Sequence, residues 1–315
     1  MDADAIRRER DELVARYGPW TAHNVRLADG VWTISELPSG DEVKLRRVTQ
    51  VVSDVLGGEI SGARILDLAC LEGMYSLELA RRGASVVAIE GREANLEKAR
   101  FAARVLGLDG IDFEQGDVRG LSRERHGEFD VVLCLGILYH LDAPDMFPFV
   151  DRLGEVSRRA LVVDTAVATR PTETQEHGGD AYRGVRLVEH AENSSAEERR
   201  QALWSSLDNV SAFAPTRPSL ERLLARSGFT SIYECHVPAE PRKEVGRVTL
   251  LALKGAPVGG LVSPQPPDAV DDVPERPPLG RRLEASPIRL VARHALPPSM
   301  RARLRRALGA ETRRH

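Results

Sequence analysis

The sequence predicts an α/β fold: a doubly wound, mostly parallel sheet of seven strands, finished by an antiparallel C-terminal hairpin. Three observations predict it. Residues 64–80 read as a buried strand, a tight turn and a helix, with Ile65, Leu66 and Leu68 as the apolar run and Tyr75, Leu77, Leu79 and Ala80 starting the helical face. Further short apolar runs at 85–90, 110–118, 129–135 and 159–164 are separated by stretches long enough for helices, the pattern of a parallel sheet covered on both faces. The last two runs, 230–236 and 247–254, are joined by a short connection that suits an antiparallel pair.

The first turn carries the chemistry. It runs Asp67-Leu-Ala-Cys-Leu-Glu-Gly73. A glycine here lets backbone N–H groups come close to a ligand. The second run ends in an acid, Glu90, placed to accept hydrogen bonds from a ribose diol. A pyrophosphate site wants G-x-G-x-x-G, so that a helix N-terminus faces phosphate. This turn has one glycine with Glu72 beside it. Carboxylates repel a pyrophosphate and suit a cofactor bearing a sulfonium and an α-ammonium group.

On these residues the chain resembles the class I S-adenosylmethionine (SAM) methyltransferases, with their D-x-G-x-x-x-G loop altered at Ala69. That departure raises the question of how the loop accommodates a Cβ. The resemblance implies a Rossmann-like sheet and SAM as cofactor. It implies a cofactor site made of Asp67, Ala69, Cys70, Gly73, Glu90, Gly91, Gly116, Asp117, Val118, Leu135 and Tyr139, with Asp117 reading the adenine.

Within that class the chain is similar to the branch of the tRNA wobble-uridine carboxymethyltransferases and their relatives acting on small molecules and sugars. The similarity covers roughly residues 18–254. It rests on His23-Asn24, Gly30-Val-Trp-Thr33, Lys44, the 68–76 turn, Leu135-Gly-Ile-Leu-Tyr-His140, Asn209-Val-Ser-Ala-Phe-Ala-Pro215 and Arg247. It implies Asn24, Lys44, Asn209 and Arg247 on the acceptor side, and His140, Tyr139 and His23 as the catalytic set. Tyr139 and Arg247 match positions that hold the extra carboxylate of carboxy-SAM in the wobble enzymes, whereas the long 166–208 insertion and the acidic body point to ordinary SAM.

Methylation of a hydroxyl requires removal of its proton, and an imidazole of pKa about 6.5 suits that. His140 is the leading base. The alternative is that Tyr139 and His140 only shape the pocket. His23, His177 and Asp180 are rival acid–base groups, and the polarity of the loop holding Glu176, His177 and Asp180 needs no metal.

Composition narrows the classes. The 315 residues contain no apolar run of membrane-spanning length, and residues 1–10 are charged, without the apolar core of a signal peptide. Cys70, Cys134 and Cys235 show no zinc spacing and read as free thiols. A cytoplasmic enzyme is the default, and the Arg and Ala usage suggests a GC-rich bacterial genome. The net charge is −3, but residues 281–315 carry ten arginines against Glu284 and Glu311, which leaves −11 on the rest. An acidic body argues against nucleic acid as partner. The basic tail suits a solvated extension, a weak contact with an anionic membrane surface, or a partner contact.

The chain divides into an N-terminal helical cap and substrate-side segment (1–61), a SAM-binding domain (62–255) with a polar lid insertion (166–208), a Pro-rich linker (256–285) and a basic helical tail (286–315). Within the N-terminal part a helix is expected over 3–16, a turn at 38–40, and a second helix over 42–56 capped by Asp41. The insertion carries a helix over 195–207, capped by Ser194 or Ser195. The expected function is O-methylation of a small-molecule or glycan hydroxyl. A tRNA wobble-uridine alkyltransferase, a dinucleotide oxidoreductase and a non-catalytic SAM-binding protein are the alternatives.

Overall fold

The central sheet has seven strands. In this computed structural model residues 2–36, 42–240 and 245–257 are described. The 38–40 turn, the Asp41 cap, nearly all of the Pro-rich linker and the basic tail lie outside them. The chain begins with α1 (Ala3–Tyr17), a small pair β1 (Arg26–Ala28) and β2 (Val31–Trp32), and α2 (Glu42–Val55). The sheet follows as β3 (Arg64–Leu68), α3 (Met74–Arg81), β4 (Ser85–Glu90), α4 (Glu93–Leu106), β5 (Ile111–Gln115), α5 (Arg123–His126), β6 (Phe129–Leu135), α6 (Ala143–Val156) and β7 (Ser157–Ala166). Next come β8 (Glu173–His177), β9 (Asp180–Val188), α7 (Ala196–Gln201), β10 (Ser211–Pro215), α8 (Arg217–Arg226), β11 (Ser231–Glu234) and β12 (Arg247–Leu253).

Five strands, β7-β6-β3-β4-β5, run parallel, and β12 and β11 close the edge antiparallel, in line with the sequence pattern. Successive strand residues point to opposite faces, so the apolar runs feed two cores. Leu66, Leu68, Val132, Cys134, Leu161 and Val163 meet α6 and α8 through Met146, Phe149, Leu153, Leu220 and Leu223. Ile65, Val131, Leu133, Ala160 and Val162 meet α2, α3 and α4 through Val48, Val52, Leu79 and Leu96. From β3 the chain goes out to β4 and β5 on one side and to β6 and β7 on the other. The carboxyl ends of β3 and β6 therefore flank the switch point where ligands bind in such sheets.

The 166–208 insertion is more ordered than a polar loop. Its Gly178-Gly179 turn joins β8 to β9, and β10 completes a three-stranded antiparallel sheet in the order β10-β9-β8. Tyr182 and Phe213 from this sheet pack on Phe147 of α6. The hairpin is hidden in the sequence because β8 is wholly polar and Tyr182 is the one large side chain that β8 and β9 fully bury. The helix expected over 195–207 shortens to α7, capped by Ser195 with Glu198 in a reciprocal capping box.

Glu72 joins the N-terminal segment to the sheet. Its Oε1 accepts from the Thr21 amide at 2.6 Å and the Thr21 hydroxyl at 3.0 Å, and its Oε2 from the amides of Ala22 and His23 at 3.2 and 3.1 Å. Lys98 stands 3.6 Å from the same carboxylate, and both side chains are fully buried. This corrects the expectation that Glu72 contributes charge to the cofactor cleft: its carboxylate is spent on the backbone of residues 21–23. Replacing Lys98 by Met would leave a buried carboxylate without its cation. Urea unfolding of Lys98→Met is expected to show a loss of about 3–5 kcal/mol, against under about 1 kcal/mol for an exposed pair such as Arg7–Asp4.

Candidate active site

The turn between β3 and α3 is built from left-handed residues. Ala69 and Leu71 both have φ +52°, and Gly73 has φ +81°. Ala69 thus accommodates its Cβ at the glycine position of the motif by entering a region that costs an L-residue about 1–2 kcal/mol. The amides of the turn are consumed inside the chain. Cys70 N donates to Ile89 O, Leu71 N to Glu90 Oε2 at 3.0 Å, Gly73 N to Cys70 O, and Met74 N to His23 Nδ1 at 3.2 Å. Asp67 accepts from the Ser76 hydroxyl at 2.6 Å. Four amides at this helix start are thus taken within the chain and are not on offer to a diphosphate.

Two buried acids remain at the cleft, on the ends of adjacent strands. Glu90 Oε1 accepts from Arg92 N at 2.9 Å and from Asn95 Nδ2 at 3.3 Å, while its other oxygen holds Leu71 N. Burial raises its pKa, against the opposing pull of those donors. Burial also pushes the Asp67 carboxyl up to about 7, opposed by the Ser76 hydrogen bonds and reinforced by the Glu90 charge. The Cys70 thiol is pushed well up by burial and by both acids, so it stays protonated.

Past β6 the cleft is cationic. Asp164 on β7 is fully buried and takes Arg247 Nη2 at 2.6 Å, Lys44 Nζ at 3.4 Å and the Thr249 hydroxyl at 2.6 Å. Burial works against the Arg247 charge, but Tyr139 and Asp164 outweigh it and its pKa rises. The guanidinium lies 4.8 Å from the Tyr139 ring centroid. His140 follows, with Nδ1 2.8 Å from Glu189 Oε2.

A segment beyond β9 covers the mouth. Leu203–Asn209 line the cleft, and a Cβ on Gly91 would stand 2.4 Å from Leu207 Cδ1. Arg92 donates to the carbonyls of Ala202 and Ser205, both at 2.9 Å. Arg119 reaches Asp117 at 2.6 Å, Asp145 at 3.0 Å and Asp208 at 2.5 Å, which links the end of β5 to this segment. The cleft remains partly open to solvent. Among the described residues no group of His, Cys, Asp and Glu is arranged to hold a metal ion, and no helix is long and apolar enough to cross a membrane.

Residues 65–159 match the family model described as a methyltransferase domain. The ubiquinone biosynthesis O-methyltransferase of Acinetobacter baumannii (strain AYE) is 34% identical over 91 residues, 29% of this chain and 38% of that one. The enzyme of the same name from Azotobacter vinelandii is 36% identical over 110 residues, 35% of this chain and 46% of that one. The chain thus spans less than half the length of the curated relatives it matches. Among solved structures, the N-terminal domain of EvdMO1 with S-adenosylhomocysteine (SAH) and D-fucose aligns at TM-score 0.62 and 26% identity, over 81% of this chain and 98% of that one.

Residues 65–159 are a methyltransferase domain, and its cofactor is SAM. The residues present fit that cofactor: two acids flank the cleft at adjacent strand ends, and four amides of the turn are already taken within the chain.

The cleft gathers Asp67, Ala69, Cys70, Glu90, Gly91, Gly116, Asp117, Val118, Leu135, Tyr139, His140, His23, Lys44, Asn209 and Arg247. Two expected residues fall elsewhere. Gly73 caps α3, and a Cβ on it would stand 3.0 Å from Ala99 Cβ. Asn24 is buried, with its carboxamide on the backbone of Ile34 and Ser35. Asn209 lines the cleft, but its amide donates to the carbonyls of His140 and Ser211. His23 is neutral at physiological pH: burial, then the Lys44 charge, lowers its pKa to about 3. His177 sits outside the cleft, stacked on Phe147 and paired with Asp151. Reading the sequence did not single out Arg92, Arg119 or Glu189. Arg92 directly follows Glu90-Gly91 and Arg119 follows Asp117-Val118, so adjacency to the expected site was their one signal.

The Asp67 shift predicts a pH dependence. Its folded pKa of about 7 lies above the ordinary 3.8. Between these values the folded state keeps a proton that the unfolded chain gives up, so this group's contribution to stability falls as pH rises and levels off above about 7. Unfolding of Asp67→Asn measured across this window is expected to show a flatter pH dependence than wild type, and relatively greater stability at pH 8.

Proposed function

We propose that this chain is a SAM-dependent O-methyltransferase that acts in the cytoplasm on a hydroxyl of a small molecule or sugar. The observation that carries the reading is the His140 imidazole at the end of β6. It faces the cleft with Nδ1 held by Glu189, and among the described residues Nε2 has no hydrogen-bond partner. A bare ring nitrogen beside the acceptor side of the cleft is suited to receive a hydroxyl proton. His23 is not: its Nδ1 accepts from Met74 N–H, which leaves Nε2 as a donor. The O-methyltransferase names of the curated relatives and the sugar in the EvdMO1 structure support the same reading.

In this reading Glu90 receives the ribose diol, Asp117 with Arg119 borders the adenine, and Asp67 borders the sulfur. When bound, SAM supplies an electrophilic methyl group on a sulfonium. The protein's share is orientation and exclusion of water. Leu203–Asn209 act as the lid that covers the mouth. Lys44, Tyr139 and Arg247 border the acceptor. His140 takes the hydroxyl proton on Nε2 as the oxygen attacks.

Two measurements check this. Isothermal titration is expected to show SAH binding and no NAD binding, with Glu90→Ala weakening SAH about tenfold or more, as loss of hydrogen bonds to a charged group implies. A panel of phenols and sugars incubated with labelled SAM is expected to yield an O-methyl product. On that acceptor His140→Ala lowers turnover about 10²-fold or more while SAH affinity holds. Products methylated only on nitrogen or carbon, or full turnover in His140→Ala, would contradict the assignment.

A further inference from the structure

Glu189 closes β9 and lies in the 166–208 insertion, outside every motif that points to the cofactor. Its side chain is only 7% exposed. One oxygen, Oε2, takes two partners: His140 Nδ1 at 2.8 Å and the Ser206 backbone amide at 2.6 Å. The same stretch grips His140 a second time, because Asn209 Nδ2 donates to the His140 carbonyl at 2.9 Å. The segment is in turn held by His190 Nε2 on Ser206 O at 2.8 Å and by the Ser206 hydroxyl on Asn209 O at 2.6 Å.

An ionised carboxylate only accepts hydrogen bonds. The nitrogen facing it must then carry the proton. From this contact we propose that Glu189 is a positioning residue for His140: it fixes the ring proton on Nδ1 and keeps Nε2 bare toward the cleft. Because the Ser206 amide shares the same oxygen, the lid that covers the cleft and the tautomer of the base are set by one carboxylate. When His140 takes a proton on Nε2, the imidazolium has two N–H groups and the Nδ1–H···Oε2 contact becomes a charge-assisted pair, which favours the transfer. The methyl acceptor gives up its hydroxyl proton to Nε2, its oxygen pair forms the bond to the methyl carbon as the carbon–sulfur bond breaks, that bond's pair stays on sulfur so that neutral SAH leaves, and Glu189 itself gains nothing. Without an acceptor at Nδ1 the imidazole reverts to the Nε2–H form that free histidine prefers, with a donor where the base should be.

The inference rests on His140 as the base, but its test does not require turnover. The full-length protein labelled with 15N-histidine and bound to SAH would be studied by long-range 1H–15N NMR at a pH where imidazoles are neutral. The expected wild-type His140 signals are a protonated Nδ1 and a bare Nε2. Glu189→Ala is expected to reverse them and to speed exchange of the Ser206 amide, with SAH affinity within a few-fold of wild type. Should Glu189→Ala fail to fold, the wild-type spectrum and Glu189→Asp, whose shorter side chain still accepts, decide the tautomer. On an acceptor found with the hydroxyl panel, Glu189→Ala is expected to lower kcat at least about tenfold, part of what a general base contributes, with the KM for SAM held. A bare Nδ1 in wild type, an unchanged tautomer in Glu189→Ala, or a reversed tautomer with kcat intact would overturn the positioning role. SAH binding that fails in wild type would instead count against the methyltransferase reading.

Discussion

The cleft depends on one buried carboxylate. Glu90 ends β4, and its two oxygens hold Leu71 N of the preceding turn and Arg92 N and Asn95 Nδ2 of the following one. This single side chain joins the two turns that any ligand at the switch point must touch. A neutral residue of the same shape would lose the charge that makes these hydrogen bonds strong. Holding Leu71 N also removes an amide that a phosphate would need. The left-handed backbone at Ala69 and Leu71 is tolerated because the hydrogen bonds around it over-determine the turn.

The other half of the cleft follows a different rule. There, cations share one buried acid: Arg247 and Lys44 both face Asp164, with Thr249 on its second oxygen. The charges are held rigidly and kept out of bulk water, which keeps them aligned toward the cleft at little cost on binding. Between the two halves stands the end of β6, where Gly136 takes φ +93° and turns the chain into Tyr139 and His140. Glycine is required at that conformation, and a Cβ there would stand 3.5 Å from Arg247 Nη2. The segment around 202–209 then crosses from one half to the other, through Arg92 and Arg119 just past β4 and β5 and through Glu189 and Asn209 beside His140.

The sheet and most of the cleft were legible in the sequence because both are local. Apolar runs with acids at their ends and turn residues after them name the strands and the positions of Asp67, Glu90 and Asp117. Gly-Ile-Leu-Tyr-His140 likewise marks the end of a strand. What stayed hidden is non-local. Glu72 sits beside Gly73 and looks like a cofactor residue, yet its partners are the amides of residues 21–23, some fifty positions earlier. Glu189 meets His140 across forty-nine positions. Asn24 belongs to a plausible motif, but its carboxamide is taken by the backbone of Ile34 and Ser35, ten and eleven positions on, which spacing alone cannot reveal. Small polar β8 and β9 residues carry no strong period, so the hairpin declares itself only when Tyr182 finds Phe147.

A crystal structure of the protein with SAH tests the central claim most directly. The ribose hydroxyls are expected within hydrogen-bond distance of the Glu90 carboxylate, with the sulfur between Asp67 and Tyr139 and the Leu71 amide still on Glu90. A ribose bound away from Glu90, or a turn that releases Leu71 N to a phosphate-bearing ligand instead, would contradict it.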